Sequence, residues 1–527
     1  MVKNAIIDEM KSLFCLKNII AAVIVSVAVF AVYFGNFSNG FTPFDDRDEI
    51  VTNPLVNPQI NSFKDILLDF QTFHFYVPLK NAVNLWLNKI SFLDPRLQHL
   101  VSDFLHLLNV LLCFVLVLKL SKSFRISFLT ALFFAVSPAC SNSINEISAR
   151  GHLFTAFFGQ ISVLFYIFAD ENREKFLKRT LFRILSAAVF FAGLFFWVTL
   201  AVLPLFIFVY ECLKKERIAI KQLFFRLLLP FFMASAICVS INVFIAPMAK
   251  MQSTQNFTVI DSNDPNAGAV IGNGLEPFYK IWGASLLYKV PVTVSKYITL
   301  CFVYPFFDAA IEMPGGNFLA NLICAVPLCI FIALSFLIWR KDRQLIFGSA
   351  LFFIFLIPGI FFIYPTQAPI LRYLYFPAAG AAYTVFAFLE LYVFCKIGGG
   401  YKKWAVIFII SLWFVYMGVN SYTRKYLWEN PATVINAMIE NGGYASCWGW
   451  FLKGELSFGN KNKLICFLKS QEELLKVSPK KVANYEIVKQ NLEEVIKNLV
   501  SDLDNEQKVL SPKKPAKRVE NENYNHI

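Results

Sequence analysis

In the stretch Phe41–Pro54, directly after the first long apolar run, Asp45, Asp46, Asp48 and Glu49 lie within about a helical turn of one another. Carboxylates beside hydrocarbon are costly to hold, and they mark chemistry or ion handling more often than packing. Asp45 or Asp46 could take a proton from an attacking alcohol. Arg150 and Arg372, two of few cations on the same side and near span ends, could hold a departing phosphate through their planar forks. Glu146, four residues before Arg150, could orient it as an i,i+4 pair if that loop is helical.

Each of these groups has a plainer reading. Asp45 and Asp46 could cap the next helix or form an Asx turn. Arg372 beside Tyr373 could anchor a span at the headgroups. His99 and His106 lie seven apart on one helical face with Asp103 between them, but interhelical hydrogen bonds suit them better than a metal, and no metal site is expected. His152 belongs either to a site or to a helix interface, and His74 reads as interfacial filler.

The elements that must position these residues are membrane spans. With 57% hydrophobic residues, 58 Phe and a mean hydropathy of +0.54, the chain is far more apolar than a soluble domain. The expected fold is all-α and polytopic, with about eleven transmembrane helices. The runs are Asn18–Phe34, Leu100–Leu118, Ile126–Ala139, Leu153–Ala169, Leu181–Val198, Leu200–Leu213, Leu227–Ala246, Phe318–Trp339, Leu345–Tyr364, Tyr373–Phe394 and Trp404–Val419. Counted from a cytoplasmic N-terminus, the inside loops hold twice the Lys and Arg of the opposite loops in less than half the length, which predicts N-in and a C-terminal tail outside. Those loop cations face anionic lipid and account for most of the basic balance, so nucleic acid is not an expected partner. The first span lacks a small-x-small cleavage site and reads as an uncleaved anchor. Most cysteines sit in apolar runs as small hydrophobes; only Cys447 and Cys466 fall in the tail, and spacing alone does not pair them.

The expected organisation is a membrane domain over residues 1–421, a helical tail over 422–503 and a disordered end over 504–527. The first outer loop, 35–99, carries the acidic motif and an interfacial helix within 71–97, with Trp86 and Phe92 on its apolar side. The large outer loop, 247–317, reads as a partly ordered flap and a helix dipping into the membrane face. Residues 444–479 have the length and layout of a single tetratricopeptide repeat, two amphipathic helices about a turn at Gly459-Asn460, which must lean on a further helix at Ala483–Leu503 or on the membrane domain.

Taken together, Asp45-Asp46, Ile50 and Asn53-Pro54 are similar to the first-loop signature of the tetratricopeptide-bearing O-mannosyltransferase-like proteins of the GT-C glycosyltransferase superfamily. Further motifs follow in family order: Tyr76-Val77-Pro78-Leu79; His99, His106 and Asn109; Ser137-Pro138, Glu146 and Arg150; and Arg372 to Pro377. The resemblance covers residues 1–480. It implies a GT-C-like arrangement of helices, catalytic roles for Asp45 and Asp46, and substrate contacts from Glu146, Arg150, His152, Arg372 and Tyr373. It also implies a polyprenyl-phosphate-linked sugar as donor substrate with no further cofactor, an extracytoplasmic protein or glycan as acceptor, and a place in a bacterial inner membrane among its lipids. The chain departs from the family pattern where Ser137 replaces a His, where His152 replaces an acidic residue, and where Trp197-Val198-Thr199 replaces a Lys and Glu pair. Those departures leave open an inactive scaffold of a glycan-assembly system; a transporter or flippase of lipid-linked sugars is the other alternative, against which the ionisable groups at span ends and the lack of a clear internal repeat count.

Overall fold

The structure is a computed structural model that describes residues 15–42, 45–57, 62–68, 75–172, 174–214, 230–242, 285–303, 325–366, 371–397, 400–440, 443–476 and 485–510. His74, the polar centre of the 247–317 loop, Pro479 and residues 511–527 lie outside them. The chain divides into two compact units, one through Val434 and one from Ile435, where the sequence suggested a boundary after 421. Among the described residues there are helices and turns but no strand.

Among the described residues, seven helices are long and apolar enough to cross a membrane: Leu16–Ser38, Pro95–Ser121, Arg150–Glu171, Phe176–Phe196, Arg343–Ile360, Leu371–Phe394 and Tyr401–Trp428. An eighth span results if Phe124–Val136 and Pro138–Asn145, bent by 55°, count as one. The expected eleven are matched by seven or eight among the described residues; the sixth run corresponds to the shorter helix Val198–Leu213, and the described parts of the seventh and eighth runs include the helices Pro230–Ser240 and Val326–Lys341. Apolar composition marks a run without fixing where its helix breaks. At Trp197 the backbone is extended (φ −162°, ψ 127°) and a tight turn follows before the next α-helix starts at Leu203. The bend at Ser137 has a local cause, because a residue before proline is pushed out of the helical region, and Ser137 is extended (φ −72°, ψ 124°).

Each peripheral helix buries one face and offers the other to lipid. On Leu16–Tyr33, Ala21, Val25, Val29 and Val32 are buried, while Ile20, Val23, Val27 and Phe30 are exposed. In water such a face would be a liability; in hydrocarbon it costs nothing. Inner helices cross closely where side chains are small. A Cβ on Gly380 would lie 2.5 Å from the Phe352 nitrogen and one on Gly348 would lie 2.7 Å from that of Thr384, so these glycines let the Phe347–Thr366 and Tyr375–Leu389 helices touch backbone to backbone.

Polar side chains inside the bundle pair across helices. His106 Nδ1 is 2.7 Å from the Tyr375 hydroxyl, and Asn109 donates to that hydroxyl at 3.2 Å and to the Leu153 carbonyl at 3.0 Å. His99 Nε2 lies 3.2 Å from the Gly40 carbonyl. These bonds join three spans and the first loop, and they hold the segment that carries Arg372 and Tyr373. Within the stretch 71–97 expected to hold an interfacial helix, a helix runs over Pro78–Ser91, started by Pro78 in the first turn, with Trp86 and Phe92 strongly exposed.

In the second unit, helices Gly443–Glu455 and Asn460–Lys476 meet at a turn where Gly459 takes φ +82°. Cys447, Phe467 and Leu474 form its core, closed by Leu492 from the helix Tyr485–Leu510. The hairpin thus leans on a third helix. That helix runs past 503 to Leu510, beyond the expected start of the disordered end. Cys447 and Cys466 are separate free thiols.

Candidate active site

The acidic loop coils helically from Asp45 through Val51, and Asn53 closes it: its side chain accepts from the Leu55 amide at 2.9 Å and donates to the Glu49 carbonyl at 3.0 Å. Adjacent carboxylates on such a coil point in different directions. Asp46 is fully buried, and its two oxygens accept the backbone N–H groups of Thr42 at 3.0 Å and Ser148 at 2.7 Å. It staples the first loop to the 146–149 turn, so of the two aspartates expected to be catalytic only Asp45 is placed to meet a substrate. The Asp45 side chain is 42% exposed and forms an ion pair with Arg372 Nη1.

Arg372 Nη1 also reaches Glu146 Oε1 at 3.2 Å. The Glu146 carboxylate is therefore not the i,i+4 partner of Arg150; residues 146–149 form bends and turns, not a helix. Arg150 is completely buried and faces neutral acceptors instead. It donates to Ser102 Oγ at 3.1 Å, Asn84 Oδ1 at 3.1 Å and the Gln98 carbonyl at 2.7 Å, tying the interfacial helix to the starts of two spans. Its guanidinium is a strut of the site's floor rather than a clamp within reach of a ligand.

Two residues join the cluster that spacing alone did not single out. Lys80 forms an ion pair with Glu49, donates to the Ser148 carbonyl at 3.1 Å and lies 4.4 Å above the Trp197 ring. The available signal was the position of Lys80 directly after Tyr76-Val77-Pro78-Leu79, in the first turn of the interfacial helix. Trp197 was visible only as a departure from the family pattern. His152 and Tyr373 are also here, their rings 4.7 Å apart, with the His152 ring 5.5 Å from that of Trp197.

Three carboxylates, those of Asp45, Glu49 and Glu146, thus pair with Arg372 and Lys80, while Asp46 is held by backbone amides. Acids outnumber these two cations, and burial adds to the cost of ionising Glu49 and Glu146. Burial pushes the Glu146 carboxyl up to about 8; Arg372 opposes the shift, and Asp45, Asp46 and Glu49 add to it. Burial likewise raises Glu49, against the pull of Lys80. Both carboxyls therefore hold their protons to higher pH than an exposed glutamate does. Among the described residues, no group of three His, Cys, Asp or Glu side chains is placed to hold a metal ion. What the arrangement offers is an accessible carboxylate, Asp45, in contact with a guanidinium that it shares with the buried Glu146.

Fold and site together define a polytopic helical membrane protein with a charged, partly accessible cluster at one end of its bundle. No protein-family model and no curated protein matches the chain. Among solved structures it is similar to the archaeal oligosaccharyltransferase AglB from Archaeoglobus fulgidus in complex with an inhibitory peptide and a dolichol-phosphate, at 15% identity and a TM-score of 0.46, over 82% of this chain and 59% of that one. It is also similar to the Archaeoglobus fulgidus oligosaccharyltransferase tethered with an acceptor peptide containing the NVT sequon via a disulfide bond, at 13% identity and a TM-score of 0.43, over 82% of this chain and 58% of that one. This chain spans well under two thirds of either. Likeness of that strength establishes neither the family nor the activity.

Proposed function

We propose that the protein is a membrane glycosyltransferase that moves a sugar from a polyprenyl-phosphate-linked donor to an extracytoplasmic acceptor, a protein hydroxyl or a glycan. The reading rests on one observation: Asp45, Glu146 and Arg372, from three separate segments, meet at one end of the bundle with Asp45 still accessible. In the proposed reaction the acceptor oxygen attacks the anomeric carbon and forms a new C–O bond. The bond from that carbon to phosphate breaks, its electron pair leaves on the phosphate oxygen, and the acceptor proton passes to the Asp45 carboxylate. Arg372, with Lys80 behind it, holds the departing phosphate. Donor phosphate competes with Asp45 for the guanidinium, so binding of donor frees the base. In this reading the protein lies in a bacterial inner membrane with its N-terminus inside, and the helical hairpin of the tail, resembling a single tetratricopeptide repeat, presents the acceptor.

A scaffold reading has an observation in its favour. Arg372 is already paired with Asp45 and Glu146 and Arg150 faces away, which suits a cluster that only holds loops together. Incubation of the purified protein with labelled polyprenyl-phosphate sugars, wild type against Asp45→Asn, separates the two. Transfer by the wild type that is lost in the variant supports the transferase. Absence of transfer across the panel, with cellular function that survives Asp45→Asn but not removal of residues 435–527, replaces it with the scaffold.

A further inference from the structure

Beside the ion cluster, two nearly buried side chains hold polar atoms without hydrogen-bond partners: Trp197, 7% exposed, at Nε1, and His152, 5% exposed, at Nε2. Native interiors seldom leave such atoms unpaired, and those that persist call for a specific explanation, a ligand among them. The indole is also held firmly in place. A Cβ on Gly151 would lie 2.4 Å from Trp197 Cδ2, so the ring rests on bare helix backbone; Lys80 covers it at 4.4 Å and Phe75 meets it edge-on at 5.6 Å. The Tyr373 ring, packed 4.7 Å from His152, belongs to the residue next to Arg372.

We propose that Trp197 and His152, with the Tyr373 ring, form the contact site for the sugar ring of the lipid-linked donor. The assignment rests on the transferase reading and names the part of the substrate these residues read. A pyranose matches their chemistry: its hydroxyls both donate and accept, so they satisfy an indole N–H and either tautomer of an imidazole nitrogen at the edges of the buried rings. An isoprenoid tail would leave both nitrogens unpaired. A phosphate would be drawn instead to Arg372 and Lys80. The spacing is consistent as well, because Lys80 touches both the Trp197 ring and Glu49, and Tyr373 adjoins Arg372, so a sugar on the aromatic side keeps its anomeric phosphate on the cation side.

The test is equilibrium binding of two probes, polyprenyl phosphate and a polyprenyl-phosphate hexose (glucose or mannose), to the full chain in nanodiscs. Wild type binds the hexose lipid more tightly than the bare phosphate. Trp197→Phe keeps a ring and loses the N–H; it weakens hexose-lipid binding about 10-fold and leaves bare-phosphate binding unchanged. His152→Phe does the same, while His152→Gln, which restores a polar atom near Nε2, recovers most of the loss; thermal unfolding of each variant confirms that it is folded. Equal weakening of both lipids by Trp197→Phe, or equal affinity of wild type for both, overturns the sugar assignment while leaving the transferase reading in place. A wild type that binds neither lipid overturns that reading and this assignment with it.

Discussion

The two ends of the Arg150–Glu171 helix carry charged clusters of opposite character. At the far end Asp170 and Glu211 meet Lys214 and Arg183: Lys214 is paired with Asp170 and lies 2.7 Å from Glu211, Arg183 approaches Asp170 at 3.8 Å, and the Tyr166 hydroxyl donates to Glu211. Two acids are matched by two bases there, and the Asp170, Glu211 and Lys214 side chains are all less than a tenth exposed. At the near end acids outnumber the bases they touch, burial pushes the Glu146 carboxyl up, and Asp45 is accessible. Balanced and closed, a charge network works as a pin between helices. Left unbalanced and open, it retains capacity for a ligand, which is what a reaction centre needs.

That contrast can be broken by substitution at either end. Asp45→Asn is expected to lower turnover about 10²- to 10⁴-fold with little change in Tm, since it removes a proton acceptor from an accessible position. Lys214→Met should do the reverse: it strands two buried carboxylates, costs about 3–5 kcal/mol of stability, and leaves the turnover of the folded fraction intact. Activity per folded molecule, measured beside Tm for both variants, checks the pair; a turnover loss in Lys214→Met at unchanged Tm would contradict it. Arg372→Lys keeps the charge but not the fork and should cost roughly 10²-fold in turnover, seen in the same assay.

Arg150→Lys sharpens the distinction between clamp and strut. Three hydrogen bonds to neutral acceptors cannot be reproduced by one ammonium, so a loss of about 1–3 kcal/mol in stability is expected, with kcat per folded molecule close to wild type. A large fall in kcat at constant Tm would return Arg150 to the phosphate. A further effect concerns pH. Glu146 has an ordinary value of 4.5 and about 8 in the folded chain, so between these values the folded state binds more protons than the unfolded one. Stability therefore falls as pH rises from about 4.5 to about 8, and Glu146→Gln should flatten that part of the Tm profile.

Some of this was legible along the chain. The acidic loop, the helix that carries the exposed Trp86 and the turn at Gly459 follow from residue types and apolar spacing. Other features were not legible. Eleven apolar runs looked like spans, whereas seven or eight helices among the described residues are long enough, the run at Leu200–Leu213 being a helix too short to cross alone. Arg150 looked like a second clamp because nothing in its neighbourhood along the chain shows that Ser102, Asn84 and Gln98 enclose it.

What the sequence by itself determined is what depends on near neighbours: hydrophobic periodicity, proline bends such as that before Pro138, and the clustering of acids after the first span. The tertiary structure alone decided which of two adjacent aspartates is a buried staple and which is open to a substrate. That choice rests on partners 102 positions from Asp46 and 327 from Asp45, and on the recruitment of Lys80 and Trp197 to the same place. The physical reason is that apolar burial is set by composition within a segment, whereas the cost of burying a charge depends on which donors the fold brings to it, and those come from anywhere in the chain.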